Sequence, residues 1–231
     1  MNEEEAKAIQ EAAKAVSKSL EISEKFGGFL RNILGEGFEN LGGMFADWTQ
    51  FYRLQNSIKL RDKVNEIFKS RELEGGTTPL LPKHVIPILQ YASLEDDDDI
   101  RDMWAGLIAN AADPNVAFQI KRFFITILSE IDPLDAQILK DLDDDSLSDK
   151  YSYATDAKLN SEEIAKRIDR SIEEVWLSLS SLSRQGLIID SFESNLESLD
   201  RGYMGFRVKN PNSNIRLSHL GKELLNGCDV T

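Results

Sequence analysis

Asn160-Ser161-Glu162-Glu163-Ile164-Ala165-Lys166-Arg167-Ile168-Asp169-Arg170-Ser171-Ile172-Glu173-Glu174-Val175-Trp176-Leu177-Ser178-Leu179 decides how the C-terminal part of the chain folds. Asn160 with Glu163 and Ser171 with Glu174 are two capping boxes, in which a short polar side chain and a Glu three residues on satisfy each other's backbone N–H groups. The first box opens a short helix with Ile164, Ala165 and Ile168 on its apolar side. The second opens a helix carrying Ile172, Val175, Trp176, Leu179 and Leu182, which stops before Gly186, a residue suited to a helix C-cap. Two capped helices joined this tightly are a helix-turn-helix pattern. Leu187-Ile188-Ile189 follows as a strand, and Met204, Phe206 and Val208 alternate as a second. The polar stretch Asp190 to Gly202 is then the wing, and Ser218 to Asn226 a closing helix ended by Gly227. Upstream, Asp132-Pro133 starts a helix to Leu142 that runs into an acidic loop through Asp149. The order is that of a winged helix.

A winged helix raises the question of DNA. The N-terminal turn of the recognition helix should meet base edges, yet here it presents Glu173 and Glu174, with Arg170 and Ser171 just before them and Arg184 at the far end. Arg201, Arg207, Lys209 and Arg216, in or near the hairpin, are the only basic grouping. Contact with DNA through these residues is therefore a weaker expectation than protein contacts or packing against the helical part, because acids facing phosphates are costly.

Whole-chain charge points the same way. The 231 residues carry 40 acids against 27 bases, a net charge of -13. Residues 1–132 hold 22 acids and 15 bases and the remainder 18 and 12, so neither half is basic. With 41% hydrophobic and 29% charged residues, the chain can build a core and does not have a disordered profile. Cys228 is the single cysteine, which excludes an intramolecular disulfide and a cysteine-based zinc site. The N-terminus Met1-Asn2-Glu3-Glu4-Glu5 is acidic where a signal peptide is basic, and the expected location is cytoplasmic.

Before Asp132 the pattern is helical throughout. Glu3 to Lys25 is amphipathic through Ile9, Ala12, Ala13, Val16 and Leu20. From Phe26 to Trp48, apolar residues at helical spacing (Phe26, Phe29, Leu30, Ile33, Leu34, Phe38, Leu41, Met44, Phe45, Trp48) mingle with six glycines, of which Gly28, Gly35 and Gly42 are seven apart. Each interior glycine costs a helix roughly 1 kcal/mol against alanine, so such a run implies close backbone approach or a broken helix. A membrane-active face of small and aromatic residues, comprising Phe26, Gly28, Phe29, Gly35, Phe38, Gly42, Phe45 and Trp48, is one reading. A packed core helix or helix pair is the other, and it leads because Arg31, Glu36, Glu39 and Asp47 prevent a bilayer span.

Helices are expected over Trp48–Glu74, over His84–Ser93 with a bent or two-part start at Pro82 and Pro87, over Glu95–Ala112 and over Phe118–Ile131. The third carries the buried stripe Ile100, Met103, Trp104, Leu107, Ile108 and Ala111, and acids at its start that complement the macrodipole. The expected architecture is mainly α: a multi-helix domain over residues 1–131 and a winged-helix-like domain over 132–231.

Catalytic constellations are missing from the sequence. His84 and His219 stand far apart without partners at ligand spacing, and no P-loop, dinucleotide, G-x-S-x-G or H-E-x-x-H pattern occurs. The acidic runs Glu95–Asp99 and Asp141–Asp145 fail the EF-hand pattern at its fifth and sixth positions and read as a solvated helix start and an acidic loop. The expectation is a non-enzyme without cofactor or metal.

The run Ser93-Leu94-Glu95-Asp96-Asp97, with Met103-Trp104-Ala105-Gly106-Leu107-Ile108-Ala109-Asn110-Ala111, resembles the Abi-alpha (abortive infection alpha) family of bacterial proteins. The similarity continues through Phe118, Ile127-Leu128 and Ile131-Asp132-Pro133-Leu134-Asp135-Ala136, and upstream through Leu41-Gly42-Gly43, Asp47 and Phe51-Tyr52-Arg53, over roughly the first 140 residues. The resemblance implies a role in defence against bacteriophage by harming or arresting the infected cell, and brings no catalytic residues. The leading expectation is thus an antiphage protein acting through a protein partner, self-association or a membrane surface at 26–48. A winged-helix transcriptional regulator is the alternative.

Overall fold

The computed structural model describes residues 24–34, 51–73, 76–148, 159–191 and 214–229. They are mainly helical, with one small antiparallel sheet near the C-terminus. The chain divides into two compact units, the boundary falling between Ile125 and Thr126. Arg201, Arg207 and Lys209, the strand expected at Met204–Val208, and Gly35, Phe38, Gly42, Phe45 and Trp48 lie outside the described residues.

In the first unit, residues 24–34 are helical (α1) and bury Phe26, Phe29, Leu30, Ile33 and Leu34 at helical spacing. The end of α1 is held by the loop before the third helix: Leu80 N–H donates to the Ile33 carbonyl at 2.7 Å and the Thr77 hydroxyl to that of Asn32 at 3.2 Å. α2 (Phe51–Ser70) and α3 (Pro82–Ala92) pack on each other and on α4 (Asp98–Ala112). α3 is continuous from Pro82, with Pro87 inside it, rather than in two parts; Pro82 occupies the first turn, where a missing N–H costs nothing. α4 buries Ile100, Met103, Trp104, Leu107 and Ile108 of its expected stripe but leaves Ala111 only half-buried, and it also buries Ala105, Gly106, Ala109 and Asn110. α5 (Arg122–Glu130) follows.

The second unit begins within α5. α6 (Pro133–Ser148) is longer than expected: the stretch read as an acidic loop after Leu142 is helix as far as Ser148. Leu159 bridges to Ile215, and α7 (Ser161–Arg167) and α8 (Ile172–Arg184) follow. Both capping boxes form. Asn160 accepts from Glu163 N–H at 2.9 Å while Glu163 accepts from Asn160 N–H at 3.0 Å. Ser171 and Glu174 do the same at 3.3 and 3.1 Å. Asp169, at φ 53°, makes the turn between the helices, with Arg170 N–H reaching back to the Ala165 carbonyl at 3.0 Å. Gly186 ends α8 in the same way at φ 75°.

β1 (Ile188–Ser191) pairs antiparallel with β2 (Asn214–Leu217), Ile188 opposite Leu217 and Ser191 opposite Asn214. β2 was not foreseen. With the Leu159 bridge on its other side, β2 lies between its two partners, an order compatible with a winged helix. α9 (His219–Cys228) closes the unit, capped by Ser218, and runs through Gly227 rather than ending there. Its Gly221 sits so close to the Leu187 carbonyl that a Cβ would fall 2.2 Å from the oxygen.

Candidate functional site

α8 is built to offer one face. Val175, Ser178, Leu179 and Leu182 are buried, while Glu173, Leu177, Ser180 and Arg184, at i, i+4, i+7 and i+11, form an exposed stripe. Leu177 is 74% exposed, the most exposed of the large hydrophobics among the described residues. Behind the stripe the helix is fixed at several points. The Ser178 hydroxyl donates to the Asp135 carboxylate on α6, which is only 2% exposed and also accepts from Asp132 N–H at 3.3 Å. Burial pushes the Asp135 carboxyl above its usual range. Trp176 Nε1 donates to the Ser161 hydroxyl on α7 at 3.2 Å.

The charged groups at the two ends of α8 are largely engaged. The Ser171 hydroxyl donates to Glu174 at 2.7 Å and, with the Ser171 N–H, holds that carboxyl below its usual range. Glu174 is thus an ionised cap. Arg184 lies 3.6 Å from Glu130, and Arg167 of α7 lies 3.7 Å from Asp141. Arg170 and Ser171 are exposed at the α7–α8 turn. What α8 presents is therefore a rigid, weakly amphipathic stripe with acids at its N-terminal turn. Leu177 is the residue the sequence reading passed over, although its place off the buried stripe of α8 was readable.

The residues that carry the family resemblance do different work. Trp104 is 1% exposed, in the core. Asn110, 4% exposed, accepts from Arg71 Nη1 at 2.7 Å, and Asp113 lies 3.5 Å from the same nitrogen, so the end of α2 is clasped to the end of α4. Asp97 caps α4 by accepting from Ile100 N–H at 3.0 Å, and Glu95 accepts from Asp97 N–H at 2.9 Å. Arg101, 2% exposed, donates to the Glu95 carbonyl at 3.2 Å and to the Asp98 carboxylate. The acidic run therefore caps a helix and pairs with a buried arginine.

On α1, Phe26 and Phe29 are buried, whereas Gly28 is exposed and, among the described residues, a Cβ built on it meets nothing within 4 Å. Among the described residues no helix is long and apolar enough to cross a membrane, and no group of three or more His, Cys, Asp or Glu is placed to hold a metal. Burial, then the charges of Lys83 and Arg122, lower the pKa of His84. Burial pushes the Cys228 thiol up, away from thiolate reactivity.

Fold and surface define a mainly helical protein whose C-terminal unit has a helix-turn-helix and a small antiparallel sheet. The sequence profile of the abortive infection alpha family matches residues 53–228, and the chain belongs to that family. The match begins downstream of the glycine-rich stretch and includes the C-terminal unit, so the similarity reaches further toward the C-terminus than the first 140 residues. No curated protein and no solved structure matches the chain.

Proposed function

We propose that this protein is a non-enzymatic antiphage factor of the abortive-infection type, working in the cytoplasm through a macromolecular contact. Family membership carries this reading. The contact is assigned to the exposed stripe of α8, and its occupant is a protein, either a partner or a second copy. An exposed leucine flanked by serine and arginine suits a protein interface, where it would be desolvated, while Glu173 and the ionised Glu174 at the leading turn oppose phosphate.

The alternative, a transcriptional regulator, is supported by the order of elements in the C-terminal unit. It requires salt-sensitive duplex binding that weakens when Arg201, Arg207 and Lys209 become alanine. The primary test is expression of the chain in a bacterial host challenged with a broad phage panel. Reduced plating or arrest of infected cells that is lost on Leu177→Ser supports the reading. Unchanged plating across the panel overturns it.

A further inference from the structure

We propose that one end of the first unit, formed by Leu81, Lys83, Val116, Lys121, Arg122 and Phe123, is a peripheral docking surface for an anionic lipid bilayer. The inference stands apart from the antiphage reading and from the α8 stripe, because it concerns other residues and a different occupant. Three connections bring the surface together. Thr78 N–H donates to the Ala112 carbonyl at 2.7 Å, placing the loop before α3 against the end of α4. Phe118 stacks on Phe124 at 5.9 Å, folding the α4–α5 connection onto the start of α5. The charges of Lys83 and Arg122 both lower the pKa of His84, so the two bases share one electrostatic neighbourhood.

The surface thus assembled is apolar and cationic. Leu81 is 55%, Phe123 41% and Val116 37% exposed. Lys83, Lys121 and Arg122 are exposed among them, and Lys121 Nζ lies 5.9 Å from the centre of the Phe123 ring. In residues 76–84 and 113–124 the only acid is Asp113, which is buried beside Arg71. On a chain of net charge -13 these two segments carry more bases than acids.

Charge complementarity selects the occupant. An acidic protein approaching an anionic bilayer is repelled except where bases gather, and it gains purchase where large apolar side chains stand exposed beside them. A nucleic acid would use the bases but not Leu81 and Val116, whose aliphatic side chains offer neither charge nor a stacking plane. With so few bases and apolar residues the attachment is reversible, as a single weak anchoring signal is.

The purified full chain is to be sedimented with vesicles of phosphatidylcholine alone and with vesicles containing phosphatidylglycerol. Binding to the anionic vesicles only, weakening as salt is raised, is expected. Lys83→Glu with Lys121→Glu should cut partitioning by more than about twenty-fivefold, at roughly fivefold for each lysine lost. Leu81→Ser with Phe123→Ser should cut it by about tenfold or more, the apolar half of the contact. Lys59→Glu with Lys69→Glu, both exposed on α2, carries the same charge change elsewhere and should leave binding intact. Equal sedimentation with both vesicle types, or none with either, overturns the proposal without reference to any substitution. So does binding to duplex DNA of the same phosphate content that is abolished by the same lysine pair while vesicle binding is not.

Discussion

Eleven of the fifteen residues of α4 are buried, against four of the thirteen of α8. Both helices start from a side-chain cap and both carry a tryptophan, yet Trp104 has no surface while Trp176 is half-buried and spends its N–H on α7. The difference separates two kinds of information in one sequence. The pattern most characteristic of the family sits on α4, where a side chain is constrained by its neighbours on all sides. The surface proposed for a partner sits on α8, where only spacing and exposure mark it.

If that division is right, substitutions should separate stability from function. The largest effect belongs to Trp104→Ala, which empties a fully buried site and should cost about 3–5 kcal/mol in urea unfolding of the full chain. A loss under about 1 kcal/mol would show that α4 is not packed as tightly as its burial indicates. Asn110→Ala comes next, removing the acceptor 2.7 Å from Arg71 Nη1; a loss of about 1–3 kcal/mol is expected.

Asp135→Asn sharpens the comparison through pH. A carboxyl whose folded pKa is raised contributes stability below its unfolded value, and that contribution is lost as pH rises through the folded value. Wild type should therefore lose stability relative to Asp135→Asn as pH climbs through that window, and stay below it at neutrality, since Asn still offers Ser178 an acceptor. Parallel melting curves at every pH would remove Asp135 from the account. The smallest effect on stability is expected for Leu177→Ser, within about 0.5 kcal/mol of wild type, although it should abolish phage protection or partner capture. A variant that loses stability and keeps protection would break the comparison outright.

Local chemistry was legible in the sequence wherever it involved neighbours along the chain. Asn160–Glu163, Ser171–Glu174, the Gly186 cap and the α4 stripe all depend on residues within one or two helical turns. What escaped depends on distance. The clasp of Arg71 on Asn110 and the Ser178–Asp135 pair join residues 39 and 43 positions apart. β2 escaped for another reason: Ile215 and Leu217 alternate over only four residues, a weaker strand pattern than Met204, Phe206 and Val208. α6 was cut short because clustered Asp reads as loop, although a helix already begun on Ile138, Leu139 and Leu142 can carry it.

Gly221 makes the last helix into a latch. Ser218 donates its hydroxyl to the Gly186 carbonyl at 2.6 Å and its N–H to the Leu187 carbonyl at 2.9 Å, and its hydroxyl oxygen accepts from Gly221 N–H at 2.9 Å. With no room for even a methyl group beneath position 221, α9 cannot slide along the sheet by a residue without losing all of these bonds together. The end of α8, both strands and α9 should then exchange their amide hydrogens as one cooperative block, opening together or not at all. In such a block, strain applied at the strands is delivered to the far end of α8.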